Sequence, residues 1–271
     1  MVQADEKNGS VKAVRQAGRM PALFVGHGNP MNAIEDNEFS RAWIEAGRSL
    51  PRPEAVLCIS AHWQTDGTRA TAMQRPATIH DFYGFPRPLH EVQYPAPGWP
   101  EAQERLRRAI RTAAVKPDFE WGLDHGCWSV LCRMFPDADI PVAQLSLDYS
   151  QEPGVHYELG RQMQGLRNEG VLIVGSGNMV HNLQVMVWED TAFDWALKID
   201  RQLKKLILAR DHQRLVEYDQ LGSDARLAVP TSEHYLPLLY VLALQGEEDR
   251  IEFFAEKVTL GSVSMRSLRI G

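Results

Sequence analysis

The chain has 271 residues, of which 44% are hydrophobic and 24% charged. That is ordinary globular composition, which excludes a disordered, collagen-like or coiled-coil chain, and at about 150 residues per domain the length fits one large domain. Lys and Arg number 29 against 35 Asp and Glu, a net charge of −6, which argues against nucleic-acid binding by general charge attraction.

Residues 1–19 lack the apolar run of a signal peptide and are expected to form a flexible tail, with one domain over 20–271. The run Ala22–Val25 predicts a first buried strand. Phe39, Trp43, Ala46 and Leu50 share one helical face, after a cap at Asp36 or Asn37. Ala55–Ser60 predicts a second strand, in which Cys58 is expected to be a small buried hydrophobe. The stretch Gln74–Pro100 is rich in Pro, Gly and aromatic residues, and loops that long in a compact domain are usually functional. Pro100 opens a helix with Ala102, Leu106, Ala109, Ile110 and Ala113 inward. Pro141–Leu147 predicts a third strand. Val155, Leu159, Met163 and Leu166 predict a helix stopped by Gly170, ahead of a fourth strand at Val171–Val174. Trp195, Ile199, Leu203 and Ile207 mark another helix. The apolar stretch Tyr235–Leu244 is short of the roughly 20 residues that span a bilayer, so no membrane partner is expected. Ile251–Ile270 predicts one or two final strands around Gly261.

Continuous apolar strands alternating with amphipathic helices imply an α/β single-domain sandwich, its mainly parallel central sheet covered by helices. Cys58, Cys127 and Cys132 are odd in number and form no CxxC pair. No disulfide framework is expected, and a reducing, cytoplasmic compartment is the default.

The histidines are the informative residues. His27 and His62 directly follow predicted strands, and His181 lies a few residues past another. In a parallel α/β sheet the carboxyl ends of the strands form the ligand crevice, so a metal site is expected there. His234 lies in PTSEHYLPLLY, where Thr231 as N-cap would put it at the third helical position. The positive helix end would then help keep the ring neutral, as a metal ligand must be. His125 sits in GLDHGCW, ahead of a helix. A lone loop histidine is more often a hydrogen-bonded structural residue than a ligand, but four or five at strand ends and helix starts shift that balance. His80 and His90 gain no such support, and His156 and His212, on polar helical patterns, are expected to be solvated. Gly175-Ser176-Gly177 is half a dinucleotide fingerprint, but Val180 occupies the place of the third glycine.

Seven segments together carry a family pattern: HGNPM from His27, SAHW from Ser60, IHDFYGFP from Ile79, YPAPG from Tyr94, LDHGCW from Leu123, SGNMVHN from Ser176 and PTSEHYLPLLY from Pro230. From about Pro21 to its C-terminus the chain resembles the DOPA 4,5-dioxygenase extradiol group. That group lies within the wider extradiol ring-cleavage family that includes the catalytic subunit of protocatechuate 4,5-dioxygenase. The resemblance implies a catalytic domain with one divalent metal, Fe(II) for catalysis, although imidazole sites also hold Zn(II). It implies an aromatic diol and dioxygen as partners. His27 and His62 match metal ligands; the third is His234 on the DOPA-type pattern, with Glu233 as the alternative. His181 matches the catalytic base and a possible fourth ligand, and His125 a residue that contacts substrate or dioxygen. The segment around His80, Phe82, Tyr83 and Phe85 either covers the substrate ring or is an ordinary packed loop. A zinc hydrolase and a non-catalytic binding module on the same fold are the competing functions.

Overall fold

The structure is a computed structural model and describes residues 19–271. The expected tail therefore lies outside the described residues except for Arg19, which bonds Asp249 at 2.8 Å.

The elements in chain order are β1 (Ala22–Gly26), α1 (Glu38–Ser49), β2 (Ala55–Thr65), β3 (Arg69–Thr71), α2 (Arg87–His90) and α3 (Ala102–Ala109). They continue with β4 (Lys116–Asp118), α4 (His125–Met134), β5 (Val142–Asp148), α5 (Pro153–Gln162), β6 (Val171–Gly177), α6 (Asp194–Leu208), α7 (His212–Val216), α8 (Ser223–Ala228) and α9 (Leu236–Ala243). The chain closes with β7 (Ile251–Phe254), β8 (Val258–Thr259), β9 (Val263–Ser264) and β10 (Ser267–Ile270).

Eight strands form one sheet in the order β4-β3-β5-β2-β6-β1-β10-β7, and β8 pairs with β9 separately. The central strands β5, β2, β6 and β1 are parallel, while β3 and β10 join their flanks antiparallel. Side chains alternate across a strand, so each continuous apolar run feeds two cores. Phe24, Leu57 and Ile173 meet the side covered by α3, α5, α6 and α9. Val25, Cys58 and Val174 meet the side covered by α1 and α4.

Several expectations need adjustment. Asn37, not Asp36, caps α1, accepting from the N–H groups of Phe39 and Ser40. The second strand runs on to Thr65, and the helix after Pro100 starts at Ala102 and ends before Ala113. Beyond α5 the chain tightens into 3₁₀ turns that stop at Gly170, φ +77°. The C-terminal segment forms four short strands instead of one or two, with Gly261 between β8 and β9. His156 is buried, not solvated: its face of α5 packs on α9, its Nδ1 lies 3.1 Å from the Tyr240 hydroxyl, and burial lowers its pKa to about 4. His212 is half-buried, with Nδ1 2.8 Å from the Tyr157 hydroxyl. Among the described residues no helix is long and apolar enough to cross a membrane.

A buried ion pair ties α6 to the C-terminal strands. Arg266 Nε lies 3.1 Å from both Asp200 carboxylate oxygens, and the Ser264 hydroxyl donates to the same group at 2.7 Å. Glu256 meets the same guanidinium, so removing Asp200 leaves Arg266 one carboxylate but takes the acceptor from its Nε and from the Ser264 hydroxyl. Asp200→Ala is expected to destabilise the protein by about 1–3 kcal/mol, read as a lowered urea midpoint; an unchanged midpoint would contradict it.

Candidate metal centre

β1 ends at Gly26, and His27 follows, its N–H donating to the Gly177 carbonyl of neighbouring β6 at 3.1 Å. Gly28 then turns the chain at φ +53°, where a side chain would also strike Met265 Sδ. His62 lies inside an irregularity of β2: between Ile59 and Gln64 that strand advances further than its partner, which moves only from Leu145 to Leu147. Such bulges re-aim side chains, and this one carries His62 to the sheet's end. A buried network pins it. Ser60 donates to Asp124 at 2.6 Å, Gln144 donates to Asp124 at 2.7 Å, and Asp124 caps α4, whose first residue is His125.

His234 arrives from the far end of the chain. Its carbonyl accepts from Asn178 N–H at 2.8 Å, and Gly177 lies so close that a Cβ there would collide with that carbonyl. Thr231 is not a helix cap, because α9 begins at Leu236. The Thr231 hydroxyl instead donates to Glu233 Oε1 at 2.9 Å. The neutrality of His234 therefore comes from burial and the neighbouring imidazoles, which hold its pKa well below the usual histidine value.

These elements bring His27, His62 and His234 together, with one donor atom of each within 4.8 Å of the others. Nε2 of His27 and Nε2 of His62 are 3.1 Å apart. Two nitrogens bound at about 2.0–2.1 Å to one tetrahedral ion would lie about 3.3 Å apart. The far side of each ring has a partner. His27 Nδ1 lies 3.0 Å from Ser176 Oγ, whose own proton goes to the Gly126 carbonyl at 2.5 Å. His234 Nδ1 lies 3.0 Å from Glu233 Oε1, and His62 Nδ1 lies 3.5 Å from Asp81 Oδ2. An acceptor at Nδ1 keeps the proton there and leaves the Nε2 lone pair for a cation. Burial holds His27 well below its ordinary pKa and lowers His62 to about 3, so both rings are neutral at pH 7. The donor set thus fits one divalent ion. Glu233 serves His234 and groups with His181 and His234, not with His27 and His62.

The other two histidines flank this group. His181 stacks on His234 with centroids 3.5 Å apart and planes 10° apart, and burial lowers its pKa to about 4. The His125 ring lies 3.8 Å from that of His62, and its Nδ1 is 3.0 Å from Asp81 Oδ2. Asp81 Oδ1 also accepts from the His125 N–H at 2.8 Å. All five rings line a cavity of about 310 Å³, with Phe82, Phe85, Leu183, Met186, Trp188, Leu260 and Val263 as its apolar wall. Of the aromatic loop, Phe82 and Phe85 face the cavity, whereas Tyr83 is 94% exposed and His80 bonds the Val92 carbonyl at 3.0 Å. The helpers Asp81, Ser176, Asp124 and Gln144 were not legible as site residues. The one signal was that Asp81 sits in the aromatic loop, beside His80.

Comparison with known proteins converges on one family. The family described as the catalytic LigB subunit of aromatic ring-opening dioxygenase matches residues 21–268. A 4,5-DOPA dioxygenase extradiol of Escherichia coli K12 is 46% identical over 95% of this chain and 97% of the relative. One from Beta vulgaris is 35% identical over 91% of this chain and 95% of the relative. The crystal structure of an uncharacterized Escherichia coli K12 protein superposes with a TM-score of 0.82 at 42% identity, covering 93% of this chain and all of the other. The chain belongs to the LigB family and is an extradiol ring-cleavage dioxygenase.

Proposed function

We propose that His27, His62 and His234 hold one divalent ion, Fe(II) in the active enzyme, and that the substrate is a catechol. DOPA, cleaved at the 4,5 bond, is the first candidate, because relatives bear its name. The observation that carries this reading is the convergence of buried, neutral imidazoles, with hydrogen-bond partners at Nδ1 of His27 and His234 and a carboxylate facing Nδ1 of His62, in the wall of a largely apolar cavity. His27, His62 and His234 would hold the ion, and an Fe(II) bound there would supply open coordination positions for the catechol and dioxygen. Zn(II) suits the same nitrogens and is expected in protein purified without added iron.

The protein's own groups do the rest. His181 lines the cavity as a neutral ring and accepts the catechol proton. His125, whose backbone N–H is held by Asp81 beside His62, lines the cavity where it contacts the bound substrate or dioxygen. Phe82 and Phe85 flank the substrate ring and exclude water. Glu233 orients His234 and is not the third ligand in this proposal. The free thiols Cys58 and Cys127 are buried, which suits a reducing cytoplasm.

The test is to strip the metal, load Fe(II) without air, add L-DOPA or catechol, and then admit oxygen. Oxygen uptake with a yellow ring-opened product is expected. No uptake from any catechol would overturn the proposal.

A further inference from the structure

One polar side chain in the cavity wall takes no part in the chemistry above. Asn29 lines the cavity beside Gly28 and Pro30, just past His27 in the chain. His27 is buried, whereas Gly28 and Asn29 are half-buried, so the chain runs outward from the histidine cluster over these positions. The turn that carries Asn29 is braced from behind. The Asn29 carbonyl accepts from the Asn32 N–H at 3.0 Å, and Asn32 Nδ2 donates to the His27 carbonyl at 3.2 Å. Asn37 Nδ2 in turn donates to Asn32 Oδ1 at 2.8 Å, and the ring of Pro30 fixes its own φ.

The Asn29 amide has a fixed sense. Its Oδ1 accepts the Met31 N–H at 2.9 Å. An amide nitrogen cannot accept that bond, so oxygen and nitrogen are not interchangeable here, and Nδ2 keeps its N–H donors for the cavity side. The other lining residues with polar side-chain groups are the five histidines and Trp188, which is 72% exposed.

A catechol whose two oxygens sit at His27, His62 and His234 directs its ring substituent away from that cluster. In L-DOPA the substituent ends in an ammonium and a carboxylate. A hydrogen bond from an amide N–H to a carboxylate is charge-assisted and stronger than one between neutral groups. At a half-buried position the carboxylate also keeps part of its water, which limits the cost of desolvation. A donor held in a braced turn loses little freedom when the ligand arrives.

We infer that Asn29 Nδ2 donates to a carboxylate on the ring substituent of the catechol, which makes Asn29 a specificity-determining residue for amino-acid and other carboxylate-bearing catechols. The inference rests on the catechol reading above and assigns a residue to the part of the substrate that the histidines do not hold.

Two variants test it. Asn29→Asp keeps an oxygen for the Met31 N–H and replaces the donor by an anionic acceptor. Asn29→Ser keeps an oxygen of a capping type without the charge and without the reach of the amide. Each is compared with the wild-type protein on L-DOPA, 3-(3,4-dihydroxyphenyl)propanoate and 4-methylcatechol, which has no carboxylate. Affinity is measured by calorimetry on the Fe(II)-loaded enzyme without oxygen, and kcat/KM by oxygen uptake. The preference for L-DOPA over 4-methylcatechol is expected to fall about tenfold or more in Asn29→Asp and about fivefold in Asn29→Ser, carried by Kd and KM. The propanoate should follow L-DOPA, because it shares the carboxylate and lacks the ammonium. An unchanged preference in folded variants, or a propanoate that does not follow, would overturn the inference. Equal losses for all three compounds would also overturn it, since Asn29 would then serve the diol or the fold alone. If the wild-type protein takes up oxygen with none of the compounds, the ring-cleavage reading fails by itself, and the anaerobic affinities still decide the role of Asn29.

Discussion

His62→Ala is expected to leave the protein folded but unable to retain its metal, with ring cleavage abolished. The imidazole removed is one whose Nε2 lies 3.1 Å from that of His27, and the two remaining ligands would have to bind alone. His181→Ala should behave differently. Its ring stacks on His234 and is absent from the group formed by His27, His62 and His234. Metal content is expected to stay near one ion per chain while turnover falls by roughly 10²–10⁴, the usual contribution of a positioned base. Elemental analysis and oxygen uptake on the two variants separate the roles. Equal metal loss in both would make His181 a ligand, and full activity in His181→Ala would remove it from proton transfer.

The second large effect concerns the metal-free protein in acid. Burial lowers the pKa of His181 and His156 to about 4 and of His62 to about 3, and holds His27 and His234 well below the ordinary value. In the unfolded chain such rings titrate near 6.5. Between those limits the unfolded state binds protons that the folded state does not, so stability is intact above about pH 6.5 and falls as the pH drops towards 4. Each ring contributes up to about 1.4 kcal/mol per pH unit. Against a total stability of about 5–15 kcal/mol, several rings acting together should unfold the chelated protein near pH 5. Urea midpoints at pH 7.5, 6.5 and 5.5 check this, and a flat profile would contradict it. Bound metal, which selects the neutral rings, should shift the loss to lower pH.

Much of this was legible in the chain because burial leaves a one-dimensional trace. Central strands such as Ala55–Ser60 and Val171–Val174 are covered on both faces and read as unbroken apolar runs. His27, His62 and His181 stood out because they follow those runs, where a parallel sheet opens its crevice. What did not show were pairings made only in three dimensions. Asp81 approaches His62 and His125 across the fold, and Ser176 meets His27 from the neighbouring strand. The bulge in β2 has no signature of its own in SAHW, so the strand seemed to stop at Ser60. His156 misled because its helix carries charged neighbours, yet Gly160 one turn on lets α9 pack against that face. Thr231 misled because a capping residue type sat before an apolar run, while the intervening turn binds Glu233 instead.

The ligand-bearing segments also set an order of events during synthesis. His27 and His62 leave the ribosome early, whereas His234 belongs to the segment that must dock over Gly177, a contact that exists only once β6 is in place. A nascent chain thus presents two of the three proposed ligands well before the third. On that ligand set, capture of a metal ion would be a late event that ties segments from both halves of the chain together, and a product truncated before His234 would lack a complete site.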